Sequence, residues 1–291
     1  MPVLTAARLA PLLNGYTLNP GPPRTIVVPH ASRLAGLQEV TVSGTLLKKQ
    51  FIRINPWTHH RTVLPAKGGG GYTKQAADGD LHFCLGVKPL RPHIVCELQN
   101  AKAWLLLFNQ SIGQTIAVSG FFRCLFEHPG FRANDDAHIF EIHPVRAVNL
   151  GGHLYSFDVD VPEQKSIHTW TRPHPLNDQD GRIRVRYDKT ADTLTFTGMD
   201  GMDKNYVRVS GRASAVKLNA NGQRPALFTF TSPEIGHPLQ VYCLQGTRAA
   251  RELRALKSPR VSLVALRNID LAQALKNRYV INLLAIDIAS A

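Results

Sequence analysis

The chain has 291 residues, 44% of them apolar, and its 34 Lys and Arg against 21 Asp and Glu leave a formal charge of +13 at neutral pH. That length allows two domains of ordinary size, each with its own core, and the lack of any run near about 18 apolar residues argues against a membrane-spanning helix. The basic excess is shared, with 15 basic and 8 acidic residues over 1–150 and 19 and 13 over 151–291, which fits an extended polyanionic partner better than a single basic tail.

Residues 1–36 read as an N-terminal arm. The opening MPVLTAARLAPLLNGY has an apolar run with no basic region ahead of it, which argues against a secretory signal, and it allows a short helix over Thr5–Leu13. Pro22 and Pro23 then forbid regular helix. From Leu37 a two-residue apolar period takes over, the mark of half-buried strands. EVTVSGTLL, DLHFCLG, HIVCELQ, TIAVSGFFRCLF and HIFEIHPVRAV give five strands, with one helical stretch, Ala101–Ser111, between the third and fourth. Five strands with a helix after the third is the OB arrangement. The first barrel is assigned to residues 37–150 and a polar linker to 151–181. A second barrel is assigned to 182–291, with strands at RIRVRYD, TLTFTGM, NYVRVSGRASAVKL, PALFTFTS, LQVYCLQ, RVSLVALRNI and YVINLLAIDIA and a helix at TRAARELRALKS. The fold class expected is therefore all-β, two tandem OB-like five-stranded barrels with short helices. The Val-Ser-Gly triplet recurs in EVTVSG, TIAVSG and NYVRVSG and reads as a turn or bulge signal.

Cys84, Cys96, Cys124 and Cys243 each lie among apolar residues with no CxxC spacing. Buried reduced thiols, and with them a cytoplasmic address, are expected. No cofactor motif and no dedicated metal spacing are present, so neither a cofactor nor a metal is expected.

The first barrel carries a specific ordered series: Asp78-Gly-Asp-Leu-His-Phe83, His93-Ile-Val-Cys-Glu97, Val118-Ser-Gly-Phe-Phe122 and Phe140-Glu-Ile-His-Pro-Val145. Over residues 40–150 this resembles a group of uncharacterised bacterial OB-like domains, and the resemblance implies the fold without implying an activity. Asp80 and His82, like Glu141 and His143, stand at i and i+2, where strand side chains share a face. With Glu97 they form a weak catalytic candidate, since Asp, Glu and His suit metal-assisted phosphodiester hydrolysis. The DGD strand is similar to that of thermonuclease-type OB folds, yet the arginine and the DAPE-like turn of that pattern are absent. Hydrogen-bonded strand bracing is the competing account of these residues.

Nucleic acid, single-stranded DNA or RNA, is the expected partner, with a protein partner as the alternative. In RIRVRY, Arg182, Arg184 and Arg186 alternate with apolar residues and would project about 7 Å apart on one strand face. Arg208 and Arg212 would extend that face. Phosphates answer such guanidinium rows, and the rival is pairing with Asp178, Asp180, Asp188 and Asp192. The loop over residues 56–79 offers Trp57, His59, His60, Arg61, Lys67, Tyr72 and Lys74, and the linker offers Trp170, as phosphate or stacking contacts.

Overall fold

The computed structural model describes residues 3–47, 53–55, 80–86, 93–99, 101–130, 138–157, 168–169, 182–198, 206–218 and 226–291. They fall into two compact units, one of Met1–Pro11, Glu39–Phe122 and Glu141–Ser166, the other of Leu12–Gln38, Arg123–Phe140 and Ile167–Ala291.

In the first unit, alternating residues fold into strand 1 (Glu39–Leu46), strand 2 (Asp80–Gly86), strand 3 (His93–Leu98), strand 4 (from Thr115) and strand 5 (to Leu150). Strand 1 pairs antiparallel with strand 4 through Val42 and Val118 and with strand 2 through Leu46 and Leu85. Strands 2 and 3 pair antiparallel, strands 3 and 5 pair parallel, and strand 5 neighbours strand 4. The ring therefore closes in the order 1-2-3-5-4-1. This order, with its single parallel 3–5 pair, is an OB barrel. The helix Leu105–Gln110 follows strand 3 and places buried Phe108 4.8 Å from the ring of Phe83 in strand 2. Burying one such ring contributes about 1.5–3 kcal/mol.

The second unit repeats the scheme. Strand 1 (Tyr206–Lys217), strand 2 (Ala226–Thr231), strand 3 (Leu239–Cys243), strand 4 (Arg260–Ile269) and strand 5 (Ile281–Ser290) follow in sequence. Pairings 1–2, 2–3, 4–5 and 1–4 are antiparallel, and 3–5 is parallel through Val241 and Leu283. The helix Arg248–Ala255 again sits between strands 3 and 4, capped by the Thr247 hydroxyl accepting from the Ala250 N–H. It buries Ala249, Ala250 and Leu253 and leaves Arg248, Arg251 and Arg254 outside. The chain is thus all-β with two OB barrels, as its sequence pattern indicates.

The three Val-Ser-Gly copies lie inside strands rather than at turns. At Gly211 an added Cβ would strike the Thr231 carbonyl and stand 2.7 Å from the Phe230 ring, and at Gly120 it would strike the Pro144 carbonyl and stand 2.6 Å from Ile142. The glycine serves close approach of neighbouring strands.

The structure partitions the chain differently from its sequence pattern. The segment read as an arm forms the helix Ala6–Leu13 and two strands, Thr17–Asn19 and Thr25–Pro29, with Pro22 and Pro23 in the link. Thr25–Pro29 pairs with Thr193–Thr197, giving a four-stranded sheet in the order Arg184–Asp188, Thr193–Thr197, Thr25–Pro29, Thr17–Asn19. RIRVRYD and TLTFTGM therefore belong to this separate sheet, and the second barrel begins at Tyr206. Within the segment read as linker, His153–Ser156 pairs back on strand 5 of the first barrel. Among the described residues, no helix is long and apolar enough to cross a membrane. All four cysteines are buried free thiols in strands.

Candidate nucleic-acid interface

The four-stranded sheet has one apolar face and one polar face because its residues alternate. Ile26, Val28, Leu194 and Phe196 are fully buried, and Phe196 meets Phe126 edge-on at 5.0 Å between ring centres. On the other face Arg184 stands opposite Thr197, and Arg186 opposite Thr195. Thr195 in turn stands opposite Val27. Arg184 and Arg186 are exposed, on an edge strand, and neither forms an ion pair among the described residues.

The nearby aspartates are engaged elsewhere. Asp188 Oδ1 accepts from the backbone N–H groups of Thr190 and Ala191, closing the hairpin turn. Asp192 accepts from the Ser32 N–H and hydroxyl and from the Tyr187 hydroxyl. Burial pushes the Asp192 carboxyl up, but these hydrogen bonds, from Ser32 first, outweigh it and hold the group below its usual range. Asp178 and Asp180 lie outside the described residues. Arg182 is exposed and occupies the turn before the strand.

Arg208 and Arg212 do not extend that face, because their strand is built into the second barrel. Arg208 stands opposite Val264 and Arg212 opposite Arg260 on the barrel exterior. Arg212, Arg260, His237 and Ser210, together with Glu234 and Ala291, line a cavity of about 780 Å³. Like charges directly opposite one another destabilise a ladder, and the Glu234 side chain in the same cavity supplies an opposite charge. Arg260 and His237 escaped the sequence reading, although the alternation of RVSLVAL puts Arg260 and Ser262 on the outward side. Trp57, His59, His60, Arg61, Lys67, Tyr72, Lys74 and Trp170 lie outside the described residues.

The weak catalytic candidates do come together in the first barrel, apart from Asp80, whose side chain lies outside the described residues. Strand register puts His82 opposite Glu97, and the parallel pair sets Glu141 beside Val95. His82 Nε2 lies 2.9 Å from Glu97 Oε2. His143 Nδ1 lies 3.2 Å from the same oxygen and 3.0 Å from Glu141 Oε1. Gln99, which the sequence reading missed, places its amide nitrogen 3.1 Å from His143 Nε2. All five side chains are buried. Burial alone would raise the Glu97 carboxyl, but the His143 and His82 imidazoles outweigh it, against a smaller opposing push from Glu141, and hold it well below the usual range. Glu97, Glu141 and His143 are also a set that could hold a metal ion.

The strand order of each ring makes this a tandem OB-fold protein. No family model and no curated protein matches the chain. Among solved structures it is similar to the wild-type single-stranded DNA binding protein from Thermus aquaticus, at 14% identity over 88% of this chain and 93% of that one, with a TM-score of 0.22. The OB assignment stands on the strand order and the parallel pairs, not on that loose likeness.

Proposed function

We propose that the protein binds single-stranded nucleic acid, DNA or RNA, through phosphate contacts from arginines on its second unit. The observation that carries this reading is the pair Arg184 and Arg186, exposed on one strand face while Asp188 and Asp192 are committed to backbone and hydroxyl donors. Guanidinium forks bind phosphate oxygens through two parallel hydrogen bonds, and the neighbouring threonine row, Thr193, Thr195 and Thr197, adds hydroxyls for sugar and phosphate. The barrel exterior at Arg212 and Arg260 offers a second phosphate contact. Two OB barrels and a charge of +13 support the same partner, since OB barrels bind oligonucleotides on their exposed strands and loops.

Fluorescence-anisotropy titrations with a labelled single strand of DNA, the same strand as RNA, and the DNA duplex test this at low salt. Tighter binding of a single strand than of the duplex is expected. Failure of every oligonucleotide to bind removes the reading.

A further inference from the structure

The buried cluster of the first barrel has no part in the function proposed above, and its geometry has a second use. We infer that Glu97, Glu141 and His143 form a binding site for one first-row divalent cation of the zinc type, with His82 and Gln99 supporting the ligands. The ligand atoms all lie within 4.8 Å of one another. Two of their three separations are His143 Nδ1 to Glu141 Oε1, 3.0 Å, and to Glu97 Oε2, 3.2 Å. A tetrahedral ion with bonds of about 2.0–2.1 Å sets its ligand atoms roughly 3.3 Å apart, so the two separations from His143 already match, and the two carboxylate oxygens, within 4.8 Å of one another, need to close by at most about 1.5 Å.

Charge argues in the same direction. Two carboxylates, Glu97 at 4% and Glu141 at 5% exposure, are buried side by side, and buried charge is costly unless well compensated. His143 Nδ1 faces both carboxylate oxygens, and His82 Nε2 faces that of Glu97 as well. A divalent cation between the two carboxylates neutralises both.

The outer contacts are those that metal ligands commonly have. His82 donates to Glu97 at 2.9 Å, which orients that carboxylate. For His143 Nδ1 to give its lone pair to a metal, the ring proton must sit on Nε2. Gln99, fully buried, stands 3.1 Å from Nε2. A half-turn of its amide presents the carbonyl oxygen to accept that proton. A neutral His143 therefore binds metal by a change of tautomer, and a protonated one by releasing a single proton. Two carboxylates and one imidazole suit zinc and its first-row neighbours better than calcium, which takes six to eight oxygens. The remaining position on the ion falls to water.

The test uses the full chain, stripped with chelator and dialysed. Zinc titrated by calorimetry is expected to bind at one equivalent and to raise the thermal midpoint. Cobalt bound in its place is expected to give a ligand-field absorption band. The double variant Glu97→Gln, Glu141→Gln should lose the band and that equivalent, whereas uptake by histidines elsewhere would persist in it. Should the double variant not fold, His82→Gln and Gln99→Leu decide the matter, with affinity about 10–100-fold weaker at unchanged stoichiometry. No saturable equivalent in the wild type, equal uptake in the double variant, or undiminished affinity in folded His82→Gln and Gln99→Leu proteins would overturn the assignment.

Discussion

Replacing Gly211 with alanine tests the close strand approach on which the second barrel depends. The new Cβ would stand 2.7 and 2.9 Å from two carbons of the Phe230 ring and would also strike the Thr231 carbonyl. Carbon atoms rest about 3.5–4.0 Å apart, so the ring must withdraw by roughly 0.8 Å. It has no room to do so, because Phe230 is fully buried. The carbonyl is held as well, since Thr231 is the register partner of Arg212. Overpacking a core costs about 1–3 kcal/mol. Here a ring and a ladder carbonyl are both displaced, which places the cost near about 3 kcal/mol, roughly a hundredfold in the folding equilibrium. Urea denaturation of the variant measures it. Gly36→Ala is the control, because its Cβ meets only the Arg33 carbonyl at 3.6 Å, and it should be neutral or stabilising by up to about 1 kcal/mol. A Gly211→Ala protein within about 0.5 kcal/mol of wild type, the range of an ordinary surface change, would refute the strand approach described here.

Gly120→Ala should destabilise the first barrel comparably by the same assay, since its Cβ would strike the Pro144 carbonyl and the Ile142 side chain. Glu39 supplies a pH test: burial raises its carboxyl against the opposing Arg146, whose Nε lies 2.9 Å away. A raised folded value means that the folded state holds the proton more tightly. Stability from this group therefore falls as pH climbs from the unfolded carboxyl value, about 4.3, through the folded one. Glu39→Gln should gain on wild type as pH rises from about 4 to 7 in paired denaturation curves, and a pH-independent difference would contradict this. The four thiols are buried, and burial pushes Cys96 and Cys243 well above the ordinary range. Ellman's reagent should label none of them until denaturant unfolds the chain, and rapid labelling of the native protein would count against the packing.

The first barrel was legible in the sequence because its five apolar-patterned runs carry a helix after the third, whereas the second was read with two strands too many, RIRVRYD and TLTFTGM, ahead of its own five. The partition was not legible. TIVVP is short and flanked by prolines, and its partner, Thr193–Thr197, lies far along the chain, so no local pattern reveals that the segment is a strand of another sheet. Arg184 and Arg186 were found by alternation, but alternation did not show that the strand starts after Arg182. The opposition of Arg212 and Arg260 is a cross-strand register, invisible from either strand alone. The i and i+2 pairs correctly brought His82, Glu141 and His143 toward Glu97. Gln99 stands two residues beyond Glu97, where the same alternation would have placed it, but its amide signals no chemistry until His143 is seen 3.1 Å away.

The most direct measurement is a salt series of single-strand binding for the wild type and for the double variant Arg184→Gln, Arg186→Gln. Each phosphate contact on a single strand contributes about −0.7 to the slope of log affinity against log salt. The wild type should bind with a steep negative slope, and the variant should bind more weakly with a slope shallower by about 1.4. Coincident lines for the two proteins would contradict the claim that these arginines hold the phosphate chain.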